Sequence, residues 1–290
     1  MKKDFFRLSI LLLIVVAIFY IFQQQQIAKE SITYFPIDPT VTFPKSSTSL
    51  EFSKKRFDEY SIKWKTNSSI NKRAFLRQDM SFLYANGKLV STMGEWKQNT
   101  MELSDEKSYV ATNSSLFQSI SFHYAELHDN SDRIFSSQKI SGDSLYVVNS
   151  QFESDPLIFH TAKSKSEKEW KKTLDDETND YIQASFMNTI ETYNISLDEY
   201  PTKMILTDIL QYNDYPIGMF TKDQSAKIIG QLTEGLYKNY FLGITKADGT
   251  TIDPIGSSIP VILLSNDHLL VLFTTKDKEP IVLRQQISNI

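Results

Sequence analysis

The sequence predicts an α+β fold: an N-terminal transmembrane helix, then an extracytoplasmic domain of antiparallel sheet with one long and one shorter amphipathic helix. Three patterns lead there. Residues 8–22 are an almost unbroken apolar run behind Lys2, Lys3 and Arg7. Apolar and polar residues alternate on either side of Asn86-Gly87 and again in short segments near the C-terminus. Between residues 165 and 193 the apolar spacing turns helical.

The first segment, residues 5–22, is about 27 Å long as a helix, just enough for a hydrocarbon core of about 30 Å. The Tyr20-Ile21-Phe22-Gln23 that closes it lacks the small residues of a signal cleavage site. It therefore reads as a signal anchor and not a cleaved leader. Basic residues N-terminal to the span leave 1–4 as a cytoplasmic stub and everything beyond about Gln23 outside. Residues 23–50, with Pro36, Pro39 and Pro44, read as an extended juxtamembrane linker. A strand-rich region, 51–164, and a helix followed by strands, 165–290, complete the chain as two domains or one.

Within the first region, "LEFSKKRFDEYSIKW" (50–64) reads as a short amphipathic helix. Asn86-Gly87 suits a type I′ hairpin, whose two central residues both need positive φ. Further strands are expected at 107–112, 118–128, 133–140 and 144–149, with "SGDS" (141–144) as a turn. Residues 205–212 are short and apolar and fit either helix or strand. Thr221 and Gln224 have capping-box spacing, and Ile228, Ile229, Leu232, Leu236 and Tyr240 make one apolar helical face. Strands at 239–245, 259–264, 268–274 and 281–287 end the chain.

Composition excludes several functions. There are no cysteines, which removes disulfides, thiolate catalysis, Cys-based zinc sites and a lipidated cysteine anchor. The nine glycines form no phosphate-binding loop. The net charge is −4; the first 30 residues carry four basic and two acidic side chains, so the remainder carries −6. Such a domain is a poor partner for nucleic acid or for an anionic membrane surface. Richness in Lys, Ile, Asn and Ser suggests an AT-rich bacterial genome.

The best chemical lead is "SFHYAELHDN" (121–130). Ile120, Phe122 and Tyr124 alternate with polar residues, and the phase then slips at Ala125 and Leu127. A β-bulge near 124–125 would restore the phase and put His123, Glu126 and His128 on one face, with Asp129 close by. Two histidines and a carboxylate are a divalent-metal set. The competing reading is a solvated strand face, and no other cofactor is expected. "DPIGSSIP" (253–260), with His268 and Asp253, lacks the G-x-S-x-G of a nucleophile elbow and reads as a loop. The carboxylates of "TLDDETND" (173–180) read as a solvated helix face. Glu234, Tyr237, Lys238 and Tyr240 offer a partner or glycan contact, although aromatics at helical spacing are usually core. "DNSD" (129–132) lacks the glycine and glutamate of an EF-hand loop.

The expectation is a membrane-anchored binding, regulatory or accessory protein. It would touch the membrane through 5–22 and an envelope protein through its outer domain. The alternatives are a metal-assisted hydrolase of envelope material and a sensor of a small molecule or cell-wall fragment.

Overall fold

Residues 33–129, 133–150, 155–246 and 249–287 are described in a computed structural model. The expected membrane anchor, 5–22, lies outside them, as does most of "DNSD". Among the described residues no helix is long and apolar enough to cross a membrane.

The first sheet contains β1 (Lys45–Arg56), β2 (Glu59–Ala85), β3 (Lys88–Ala111), β4 (Ser115–His128), β5 (Ile134–Val148) and β6 (Leu157–Phe159). β1, β2, β4, β5 and β6 pair antiparallel in that order, and β3 pairs with β2 along most of its length. The β2–β3 hairpin turns at Asn86 and Gly87, both with positive φ, as the sequence predicts. The β2–β3 register breaks between Ser69 and Ala74. Burial alternates along the first half of β2, whereas residues 77–84 of the second half are buried on both faces. The break lets the ribbon fold over, so Tyr60, Ile62 and Trp64 of the first half pack in one cluster with Leu83 of the second.

Helix α1 (Lys165–Tyr193) starts at a capping box of Ser164 and Glu167 and ends at Asn194 in the left-handed conformation. A short strand, β7 (Thr202–Ile205), leads into a 3-10 turn over Leu206–Asn213. Helix α2 (Lys222–Leu236) begins with the expected Thr221–Gln224 capping box. Its last turn widens into a π-turn, Tyr237–Phe241. β8 (Ile244–Thr245) and β9 (Thr251–Ile252) form a small ribbon. A second sheet orders β12 (Pro280–Gln286), β11 (His268–Thr274), β10 (Val261–Leu264) and β7.

One core joins the two halves of the chain. Met80, Phe82 and Tyr84 of β2 and Ile120, Phe122 and Tyr124 of β4 meet Ile182 and Phe186 of α1, Ile228 and Leu232 of α2, and the second sheet. The residues from 33 onward therefore belong to one compact unit, not two divided near residue 164.

Several expectations are corrected. Residues 50–64 form the β1–β2 hairpin and not a helix, because alternation buries Leu50, Tyr60, Ile62 and Trp64 on one side. "SGDS" is not a turn: β5 runs through it in unbroken register with β4. Of residues 239–245, only Ile244–Thr245 are strand (β8); 239–241 belong to the π-turn. The linker expected over 23–50 is not free over its described part. Tyr34 N–H donates to Glu234 Oε2 (2.8 Å), Asp38 N–H to Ser136 O (2.8 Å), and Ser137 Oγ to Val41 O (2.9 Å). Residues 45–50 already belong to β1.

Candidate functional site

β4 explains the chemistry of its residues. Its register with β2 is continuous over 117–126 and with β5 over 115–128, with no bulge. Strict alternation follows. Even residues face the main core. Odd residues face the interior of the folded-over sheet, where Phe117 joins one apolar cluster and Ala125 and Leu127 another. Between those clusters lie Ser119, Ser121 and His123.

The bulge expected near 124–125 is therefore absent, and the expected metal trio does not assemble. His123 lies on one face; Glu126 and His128 lie on the other. His128 Nε2 pairs with Glu126 Oε1 at 2.6 Å, and its ring stacks on Phe75 at 3.9 Å between centroids. Among the described residues no group of three or more His, Asp and Glu is placed to hold a metal ion. The phase slip that suggested a bulge has another cause. The odd-face interior is polar at its centre and apolar at its ends, so hydrophobicity changes along the face while the backbone stays regular.

His123 is instead the centre of a buried polar network. Its Nδ1 is 2.7 Å from Asp79 Oδ2 and its Nε2 is 2.7 Å from Ser141 Oγ. Ser68 Oγ donates to Asp79 Oδ2 (2.7 Å), and Arg77 Nη2 donates to Ser68 Oγ (2.6 Å). Arg77 also donates to the carbonyls of Met101 (2.8 Å) and Tyr124 (3.2 Å), and Phe43 covers its guanidinium. The Thr48 hydroxyl bonds those of Ser121 and Ser141, both at 2.6 Å. Burial pushes the Arg77 pKa down, and the Asp79 charge opposes that.

Asp79, His123 and Ser141 are connected in the order of a Ser–His–Asp relay. Access decides what the connection does. None of these residues is more than 8 % exposed, and none lines the cavities described below. A nucleophile in this position meets no substrate. The network instead ties β1 and β2 to β4 and β5 across the fold, because each polar group left there without a partner would be costly.

The accessible feature lies at the other end of the β2–β3 hairpin. Two cavities of about 530 and 480 Å³ adjoin there and share Lys88 and Tyr109. Lys88 Nζ lies 4.8 Å above the Tyr181 ring, which lines the first. The second has Leu89, Val90, Ile252 and Ile255 in its lining and charged residues of both signs, among them Lys276 and Asp277. Backbone bonds hold this hairpin tip against residues 256–259: Leu89 N–H donates to Ser257 O, and Ile259 N–H to Gly87 O, both at 2.8 Å. Burial raises the pKa of Tyr109 and of Tyr181.

The remaining sequence leads are structural. Ser257 and Ser258 are fully buried; Ser257 bonds Tyr240, and Ser258 bonds Ser185 and Thr274 N–H. His268 bonds Tyr200, Ser265 and Asp267, and Asp253 accepts from Ile255 N–H. Tyr237 and Tyr240 are core residues. On α1, Asp175 and Asp176 pair with Lys171 and Lys172. Sequence reasoning missed Asp79 and Arg77, whose only signal is two charges placed two apart inside a strand that is otherwise buried.

No protein-family model matches the chain, and no curated protein matches it. Among solved structures the chain is similar to the crystal structure of a candidate lipoprotein, ycdA, from Bacillus subtilis. The match has 11 % identity over 84 % of this chain and 73 % of that one, with a TM-score of 0.18.

Proposed function

We propose that this chain is a binding module that acts through protein contacts at the outer face of a bacterial cytoplasmic membrane, anchored by residues 5–22. The observation that carries the reading is the double cavity around Lys88 and Tyr109. Apolar groups beneath charges of both signs suit an extended segment of a protein partner: the apolar part supplies affinity and the charged rim supplies register. The hairpin tip that carries Lys88 is held by backbone bonds to residues 256–259, so little order must be gained on binding.

The test is a photoreactive side chain at Val110, which is 55 % exposed beside the groove. The reading expects one envelope protein to be captured in living cells, and expects capture to fall at least tenfold when Ile255→Asp is added. A matched probe at Trp170, on α1, should not capture it. Equal capture from both positions, or none from Val110, would sink the reading.

A further inference from the structure

β3 is an edge strand over most of its length. Among the described residues it pairs only with β2. At its start, Leu89 bonds residues 256 and 257 on the other side. From Gly94 to Gln98 no described strand covers that edge. Gly94, Trp96, Lys97 and Gln98 are exposed there, Trp96 by 45 %. An open edge is a template for pairing with another chain, and proteins commonly block it with a proline, a bulge or an uncompensated charge. Residues 94–98 contain no proline, and their register with β2 is regular. Their one lysine, Lys97, is neutralised by Glu95 at 2.6 Å.

The order of the charges says what fits this edge. Glu95-Trp96-Lys97 complements itself when read in the opposite direction. With two copies antiparallel and Trp96 opposite Trp96, Glu95 of each copy faces Lys97 of the other, and Gly94 faces Gln98. Opposite charges and paired aromatic rings are favourable directly across strands, and like charges are not. A shift of two residues in either direction sets Glu95 against Glu95 or Lys97 against Lys97. The same side chains therefore select one register and reject its neighbours.

We infer that two copies of this chain pair β3 against β3, antiparallel, about a two-fold axis at Trp96. Such a contact is isologous, so it closes at a dimer and does not propagate into a fibre. It is short for an interface and belongs to the weak, reversible class. None of residues 94–98 lines either cavity of the groove at Lys88 and Tyr109, so the pairing does not depend on the partner reading.

The chain has no cysteine, so single cysteines can trap the pair in membranes that carry the full chain. Directly opposite strand residues lie within disulfide reach, and residues displaced by two do not. Trp96→Cys should give a disulfide-linked homodimer on mild oxidation. Glu95→Cys alone and Lys97→Cys alone should give at least fivefold less. Co-expression of those two, with different tags, should restore linkage as a heterodimer while keeping Trp96, and decides the register if Trp96→Cys does not fold. Adding Glu95→Lys to Trp96→Cys should lower trapping at least fivefold, and adding Lys97→Glu as well should restore it. Met219→Cys, at an exposed position away from β3, is the collision control. Equal trapping at 95, 96, 97 and 219, no dimer from any of them, or linkage of Cys-bearing β3 only to a different protein overturns the inference.

Discussion

Single residues here are governed by what surrounds their charge. Asp79, Arg77 and His123 are held in the interior at a high desolvation cost, which their mutual bonds offset only as a set. Removing one member should therefore cost much more than a surface change. Asp79→Ala is expected to destabilise the chain by about 3–5 kcal/mol, read as a lower urea midpoint with unchanged slope. A midpoint within about 1 kcal/mol of the parent would mean that water relaxes the site. Asp208 obeys the opposite sign. Its folded pKa is raised, so its contribution to stability is present in full below the ordinary carboxylate range and is lost as pH rises through the folded value. Because the Asp208 side chain is exposed and water screens it, Asp208→Asn should then stabilise the chain only slightly at pH 7 and give a still smaller difference at pH 4. Thermal unfolding at the two pH values checks this, and equal differences would argue against a desolvated carboxyl.

At the scale of elements, the two helices are set by their ends and by one close contact. Ser164 Oγ accepts from Glu167 N–H, and the Glu167 carboxylate accepts from Ser164 N–H at 2.7 Å, which also holds the Glu167 pKa down. Ser164→Ala should cost about 1 kcal/mol, measured by chemical denaturation, with Thr221→Ala similar at α2. The close contact is between α2 and the segment before β1. A Cβ on Gly230 would come within 2.1 Å of the Tyr34 ring. Gly230→Ala should release residues 33–43 to amide hydrogen exchange even though alanine favours the helix itself. Tyr34→Ala should expose the same residues, and adding Gly230→Ala to it should change little further. Additive effects in the double variant would show that the ring and the glycine are not coupled.

At the scale of the whole molecule, the lesson of "SFHYAELHDN" is that a strand can change hydrophobicity along one face without changing register. Periodicity placed β4, the β2–β3 hairpin and both helices well, and it located the capping box of α2. It also read Tyr237 and Tyr240 correctly as core. It failed at 50–64, where helical and alternating readings of the same letters compete and the partner strand decides. It failed at "SGDS", where turn-forming residues sit inside a strand paired on both sides. The groove at Lys88 and Tyr109 left no sequence signal, because its walls come from residues more than 150 positions apart in the chain.

The sequence by itself determined the two helices, the Asn86-Gly87 hairpin, the absence of thiol chemistry and the acidic balance of the chain, since each depends on residue type and short-range spacing. Only the tertiary structure decided which charges are buried together, that residues 33–50 belong to the domain, and where open cavities remain. Those outcomes depend on the fold-over of β2 after Ser69 and on the packing of α1 and α2 against the sheets, and distant contacts of that kind are not written in any one stretch of residues.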